Sequence, residues 1–221
     1  MDKQAMLLLL LAALNFAQTE VNVKYFVEGG NMVLEPSVSE RITNILWKHN
    51  DYLLAEWVEN EVDLTYYDSF ASRTTLNITT GRLEITKVTK ADVGLYSLQI
   101  NDRIYNESYD VKVIKEVPKP TVRLGQQDNK PSLICEGETE AAEPVTYTWT
   151  KNGHEQNYGK TLEVPRSELF HFQTFSCRMK NPVSEKESRP LLISIVNYIQ
   201  RGFANTHNNV NNVSKHQCIL L

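Results

Sequence analysis

Residues 92–98 read Asp-Val-Gly-Leu-Tyr-Ser-Leu, and no other stretch restricts the fold of this chain as much. An Asp-x-Gly-x-Tyr run turns the backbone tightly into a strand of a two-layer β-sandwich, where the tyrosine hydroxyl bonds back to the chain a few residues upstream. Two positions after that tyrosine, such a sandwich ordinarily carries a cysteine bridged to the facing sheet. Here the residue is Leu98. The sequence therefore predicts a sandwich held shut by apolar packing and not by sulfur.

Down to about residue 196 the chain is written in short runs of Val, Ile, Tyr, Thr and Leu separated by Gly, Asn, Asp and Pro. No helical period interrupts them, so the body reads as all-β. With 221 residues, 41% of them hydrophobic, the chain suits two sandwiches of about 100 residues each. Glu116-Val117-Pro118-Lys119-Pro120 breaks the pattern once. Its two prolines remove backbone donors and favour extended chain, as in a short, stiff joint. The expected domains are 18–115 and 121–196, joined by 116–120.

In the first domain, strands are predicted at 31–34, 45–48, 53–58, 95–101 and 105–113, with 77–79 and 82–88 forming a hairpin around Gly81. The strand at 53–58, with the stretch between it and Arg73, supplies the extra edge strands of a variable-type immunoglobulin sandwich. Alternation sends Trp47, Tyr96, Leu98 and Ile100 to the core and Lys48, Ser97, Gln99 and Asn101 outward. Arg73 and Asp92 stand where such sandwiches pair an arginine fork with a carboxylate under the lower rim.

In the second domain Cys135, Trp149 and Cys177 follow in the order of an immunoglobulin domain with one disulfide. Neither cysteine has a second Cys or a His at ligand spacing, which argues against a metal. Phe175 occupies the corner tyrosine's place. Asn152-Gly153 is a hairpin turn, and the short distance from there to Phe175 leaves little room for extra edge strands. A smaller, constant-type sandwich is expected.

Residues 6–14 are apolar, follow Lys3 and end near small residues, the pattern of a secretory signal peptide cut near Ala17. Asn77-Ile78-Thr79, Asn106-Glu107-Ser108 and Asn212-Val213-Ser214 are glycan acceptor triplets, making Asn77, Asn106 and Asn212 expected glycosylation sites. Residues 197–221 are polar and rich in asparagine, as in disordered chain. They end Cys218-Ile219-Leu220-Leu221, formally a prenylation box, but a cytosolic modification conflicts with a signal peptide and sequons. Cys218 is read as a free thiol or as the link of a disulfide-bonded dimer.

Net charge is −4 with acids and bases interleaved, and no basic run suits nucleic acid. His49, His154, His171, His207 and His216 have no HExxH spacing; Gly-x-Ser-x-Gly and Gly-rich phosphate loops are absent from the sequence. No catalytic constellation, metal site or cofactor is expected.

A cysteine-free variable-type domain followed by a disulfide-bonded constant-type domain resembles the signalling lymphocyte activation molecule family. Ile45-Leu46-Trp47-Lys48, Leu54-Ala55-Glu56 and Gly81-Arg82-Leu83-Glu84-Ile85 carry the resemblance, which covers roughly residues 20–196. The chain departs from the family's pattern twice. It lacks cysteines for a second bridge in the second domain, and residues 194–221 hold no apolar run long enough for a membrane helix or lipid-anchor signal. A secreted form, or a chain continuing past Leu221, accounts for the latter.

The resemblance implies an immune adhesion or recognition protein, at the cell surface or secreted. Its first domain would bind a related immunoglobulin-superfamily receptor, homophilically or heterophilically, through an outer face carrying Lys48, Asp51, Glu56, Ser97, Gln99, Asn101 and Arg103. That face is expected to be of mixed charge with little apolar area. A soluble decoy that occupies the receptor without linking cells is the alternative, and a general adhesion molecule outside the immune system stands behind it. Trp57, Tyr66 and Tyr67 are aromatic enough for interface anchors, but alternation places Trp57 inside.

Overall fold

The computed structural model describes residues 20–193 apart from Asn129. The expected signal peptide at 1–17, the tail at 197–221, the Asn212 sequon and Cys218 lie outside the described residues. The chain divides into two compact units at Lys115 and Glu116, each an all-β sandwich.

The first unit holds β1 (Glu20–Val27), β2 (Met32–Leu34), β3 (Asn44–His49), β4 (Tyr52–Val58), β5 (Val62–Tyr66), β6 (Thr74–Leu76), β7 (Leu83–Ile85), β8 (Gly94–Ile100) and β9 (Arg103–Ile114). A six-stranded sheet runs β1-β9-β8-β3-β4-β5 and a three-stranded one β2-β7-β6. β1 is parallel to β9. Ile45, Trp47, Tyr96, Leu98 and Ile100 from the larger sheet share one buried cluster with Met32, Leu34, Leu76, Leu83 and Ile85 from the smaller.

Leu98 is fully enclosed and pairs across the ladder with Trp47. Met32 and Leu34 fill the cluster from the facing sheet. Each such side chain contributes about 1.5–3 kcal/mol when withdrawn from water, so apolar volume takes over the closure that sulfur provides elsewhere.

Trp47 also has a polar constraint: its indole N–H donates to the Gly81 carbonyl at 3.1 Å. Gly81 holds φ +77°, a conformation that glycine adopts without strain, and this aims the carbonyl at the ring. Next to it, the expected strand at 77–79 is a turn. Asn77 Oδ1 accepts from the Thr79 and Thr80 amides, and the Gly81 amide donates to the Asn77 carbonyl, which ends β6 at Leu76.

Under the rim, Arg73 grips Asp92 with both terminal nitrogens; Nη1 reaches Oδ2 at 2.9 Å and Nη2 bonds Oδ1. Asp92 is buried and also accepts from the Thr89 amide at 2.7 Å, closing a capping box at the turn into β8. Burial opposes its ionisation, but the Arg73 fork and the Thr89 amide hold the carboxyl below the usual carboxylate range. Tyr96 donates its hydroxyl to the Asp92 carbonyl at 2.9 Å. Burial, then the Asp92 charge, pushes that phenol up.

The second unit holds β10 (Thr121–Gln127), β11 (Lys130–Glu136), β12 (Thr146–Lys151), β13 (His154–Tyr158), β14 (Thr161–Glu163), β15 (Gln173–Asn181), β16 (Ser184–Glu187) and β17 (Leu191–Ile193). One sheet runs β10-β11-β14; the other runs β13-β12-β15-β16, with β17 also on β15. Cys135 and Cys177, 42 positions apart, are bridged with 6.0 Å between their Cα atoms. Trp149 is packed in the same core and donates its indole N–H to the Gly159 carbonyl at 2.9 Å. Phe175 is buried at the corner position. Within the expected joint, Val117 is fully buried in this unit's core, and its amide donates to Ser184 Oγ at 2.8 Å.

Candidate binding face

Register fixes what the six-stranded sheet shows on its outer side. One row across the strands reads Leu53, Lys48, Ser97, Ser108 and Val21. The next reads Thr65, Glu56, Leu46, Gln99 and Ile104. A third brings Leu95 beside Asp110 and Val23. Lys48, Glu56, Ser97 and Gln99, all expected on this face, therefore stand together at its centre.

The other three expected residues lie at its two ends. Asp51 is exposed in the β3–β4 turn, where Asn50 and Asp51 hold φ +50° and +67°, as a tight hairpin of the inverse type requires. Asn101 and Arg103 flank the β8–β9 turn at the opposite end, a strand length of roughly 17–20 Å away. Asn101 is also engaged within the domain: its Oδ1 accepts from the Thr43 amide and hydroxyl, each at 2.9 Å, and its Nδ2 donates to the Arg41 carbonyl. It braces the loop before β3, while Arg103 is exposed.

Glu56 accepts the Tyr67 hydroxyl at 2.8 Å. The same hydrogen bond holds Tyr67 above its ordinary phenol value. Tyr66 accepts the Leu76 amide at 2.9 Å, and with Trp57 it packs against the core, so these aromatic rings serve the sandwich. His49 stacks over Tyr96 with 4.6 Å between ring centres and meets Phe70 edge-on.

Apolar content is where the face departs from expectation. Val21, Val23, Leu53, Leu95 and Ile104 are all exposed there, Ile104 at 70%. Sequence reading overlooked them because β1 was not recognised as an edge strand, and because the strand after the β8–β9 turn was expected to begin at Tyr105, whereas β9 starts at Arg103 and includes Ile104. The signal for β1 was present in the alternation Val21, Val23, Tyr25. Among the described residues no three His, Cys, Asp or Glu side chains converge as metal ligands.

No family model matches the chain. Over 179 residues it is 28% identical to human CD48 antigen, covering 72% of this chain and 70% of that protein. It is 26% identical to human T-lymphocyte surface antigen Ly-9, covering 74% of this chain and 27% of that protein. Against human SLAM family member 7 it is 31% identical, covering 50% and 36%. Among solved structures, the CD2-binding domain of CD58 overlays with a TM-score of 0.62 at 19% identity, covering 79% of this chain and 96% of that one.

Two tandem immunoglobulin sandwiches and this set of relatives define an immune cell-surface adhesion or recognition protein, not an enzyme. Within that class the chain is similar to members of the signalling lymphocyte activation molecule family of immunoglobulin-superfamily receptors.

Proposed function

We propose that the outer face of the first unit's six-stranded sheet binds a related immunoglobulin-superfamily receptor on another leukocyte. The observation that carries this reading is the centre of the face. There Lys48 and Glu56, of opposite charge, stand in adjacent rows with Ser97 and Gln99, and Leu53 and Ile104 are exposed in the same two rows.

Mixed charge gives specificity and a fast, salt-sensitive on-rate, while the exposed aliphatic side chains supply area that gains from desolvation. Weak, reversible contact made strong by many copies is the mode that follows. Held at a cell surface, the chain links two cells; released into the medium, the same face occupies the receptor as a decoy. Expression in cultured cells, with the chain assayed in the medium and on the surface, separates the two.

The docking itself is tested by surface plasmon resonance of the full chain over immobilised ectodomains of leukocyte immunoglobulin-superfamily receptors. Lys48 makes no ion pair among the described residues, so K48E is expected to lose binding at an unchanged melting temperature. E56K is expected to lose binding as well. Unaltered affinity in both variants overturns the proposal.

A further inference from the structure

Asn106 opens the triplet Asn106-Glu107-Ser108 and lies within β9. Ile104 is opposite Gln99, and Ser108 is opposite Ser97 on one side and Val21 on the other. The two extra residues between those pairings preserve the alternation: Tyr105 packs against the core, so Ile104, Asn106 and Ser108 share the outward side. Asn106 is exposed. Asn77, in the other described triplet, sits in the β6–β7 turn of the opposite sheet.

From this we infer that Asn106 carries an N-linked oligosaccharide that stands on the β8–β9 half of the docking face, so that its occupancy sets how tightly the face binds. The inference rests on the docking reading above. In the transfer, the Asn106 amide nitrogen bonds to the anomeric carbon of a lipid-diphosphate-linked oligosaccharide. The anomeric C–O bond breaks, the lipid diphosphate leaves, and the amide proton passes to a base of the transferase.

Ser108, whose hydroxyl completes the acceptor, is only 4% exposed in the folded chain and is paired into the ladder on both sides. Modification therefore precedes the zipping of β9 onto β8 and β1. Neighbouring strands are about 4.8 Å apart, so an oligosaccharide of even a few rings overlies more than one of them. It leaves the β3–β4 half, with Lys48, Leu53 and Glu56, as the open part of the face.

The test uses full chain secreted by mammalian cells. Mass spectrometry reads the Asn106 peptide, and tetramers of the wild type, N106Q and T79A are titrated on leukocytes. T79A removes the Asn77 triplet without touching the side chain that closes its turn. Asn106 is expected to be glycosylated, N106Q to stain at about tenfold lower concentration, and T79A to stain as the wild type does. Endoglycosidase trimming of folded T79A, made with high-mannose sugar, cuts within the oligosaccharide core and keeps the Asn106 amide; it should shift staining in the same direction as N106Q. An unmodified Asn106, or an occupied one whose removal leaves staining unchanged, overturns the inference and leaves receptor binding standing. Staining by none of the proteins, all with cooperative melting curves, overturns the docking reading and this inference with it.

Discussion

Gly94 is pressed against the Asn50 side chain so closely that a Cβ at Gly94 would lie 2.2 Å from Asn50 Oδ1, and Gly94 itself holds φ +147°. The contact has a purpose in the sheet. Asn50 Oδ1 accepts the Leu95 amide at 2.9 Å, and the Asn50 amide donates to the Leu95 carbonyl at 2.8 Å, which staples the β3–β4 turn to the start of β8. G94A meets a backbone penalty and a steric one together, and about 2–4 kcal/mol of stability should be lost. Urea unfolding of N50G, G94A and the double variant measures both parts: N50G alone gives the cost of the lost Leu95 hydrogen bond, the coupling between the two changes gives the steric share, and what remains of G94A is the backbone share.

The Arg73–Asp92 fork ties the acid stability of the first unit to a single carboxyl. Its folded pKa is depressed, so the contribution is present above the unfolded carboxylate's value of 3.8 and disappears as pH falls through the lower folded value. D92N should cost about 3 kcal/mol at neutral pH, because it leaves a partly buried guanidinium without its counter-charge. It should also flatten the fall in melting temperature below pH 4. Tyr96 acts at the other end of the scale: its phenol is pushed up, so its own contribution is kept up to the unfolded phenol's value of 10.0 and declines above it. Melting curves at acid and alkaline pH for the wild type, D92N and Y96F check both signs.

The two-sandwich architecture was legible because its signals are local. Asp92-Val93-Gly94-Leu95-Tyr96 sets a corner by its own backbone, and alternation along 96–100 assigns a core that the structure encloses. β1 carries a local strand signal in the alternation Val21, Val23, Tyr25, but its place at the sheet edge comes from parallel pairing with a strand some 87 residues away in sequence, which nothing local announces. The indole-to-carbonyl bonds, Trp47 to Gly81 and Trp149 to Gly159, were illegible for a related reason: Gly81 read only as a turn residue, Gly159 carried no signal of its own, and the direction of each carbonyl is set by backbone dihedrals that the sequence does not show. On the binding face, Lys48 and Ser97 follow from alternation alone, but Asn101 is claimed by the loop at Thr43, a contact across 58 residues that no periodicity reveals.

Since the bridge lies in the second unit alone, the two units should respond differently to reductant. Cys135–Cys177 closes a loop of 42 positions, which in the chain-entropy model amounts to about 4 kcal/mol. Adding dithiothreitol, or changing both cysteines to alanine, should move a single transition of a two-step melting curve downward. Hydrogen exchange assigns it: amides of β11, β12 and β15 should lose protection while those of β3 and β8 keep theirs.

Exposed aliphatic residues on a sheet face are stable neither because of the fold nor in spite of it; they are simply absent from the core's accounting, and Ile104 at 70% exposure is the extreme case. Replacing it with a polar residue removes no buried contact, so I104N should change unfolding free energy by no more than about 0.5 kcal/mol. If the face docks a receptor, the same change removes apolar area from the interface and leaves Lys48 and Glu56 in place. In the N106Q background, where no oligosaccharide covers β9, binding should then weaken by about tenfold, mostly through faster dissociation, and the salt dependence of association should stay as in N106Q alone, because the charges that steer the encounter are intact. Resonance kinetics at two ionic strengths separate these effects, and a loss confined to the association rate would mean that Ile104 lies outside the contact.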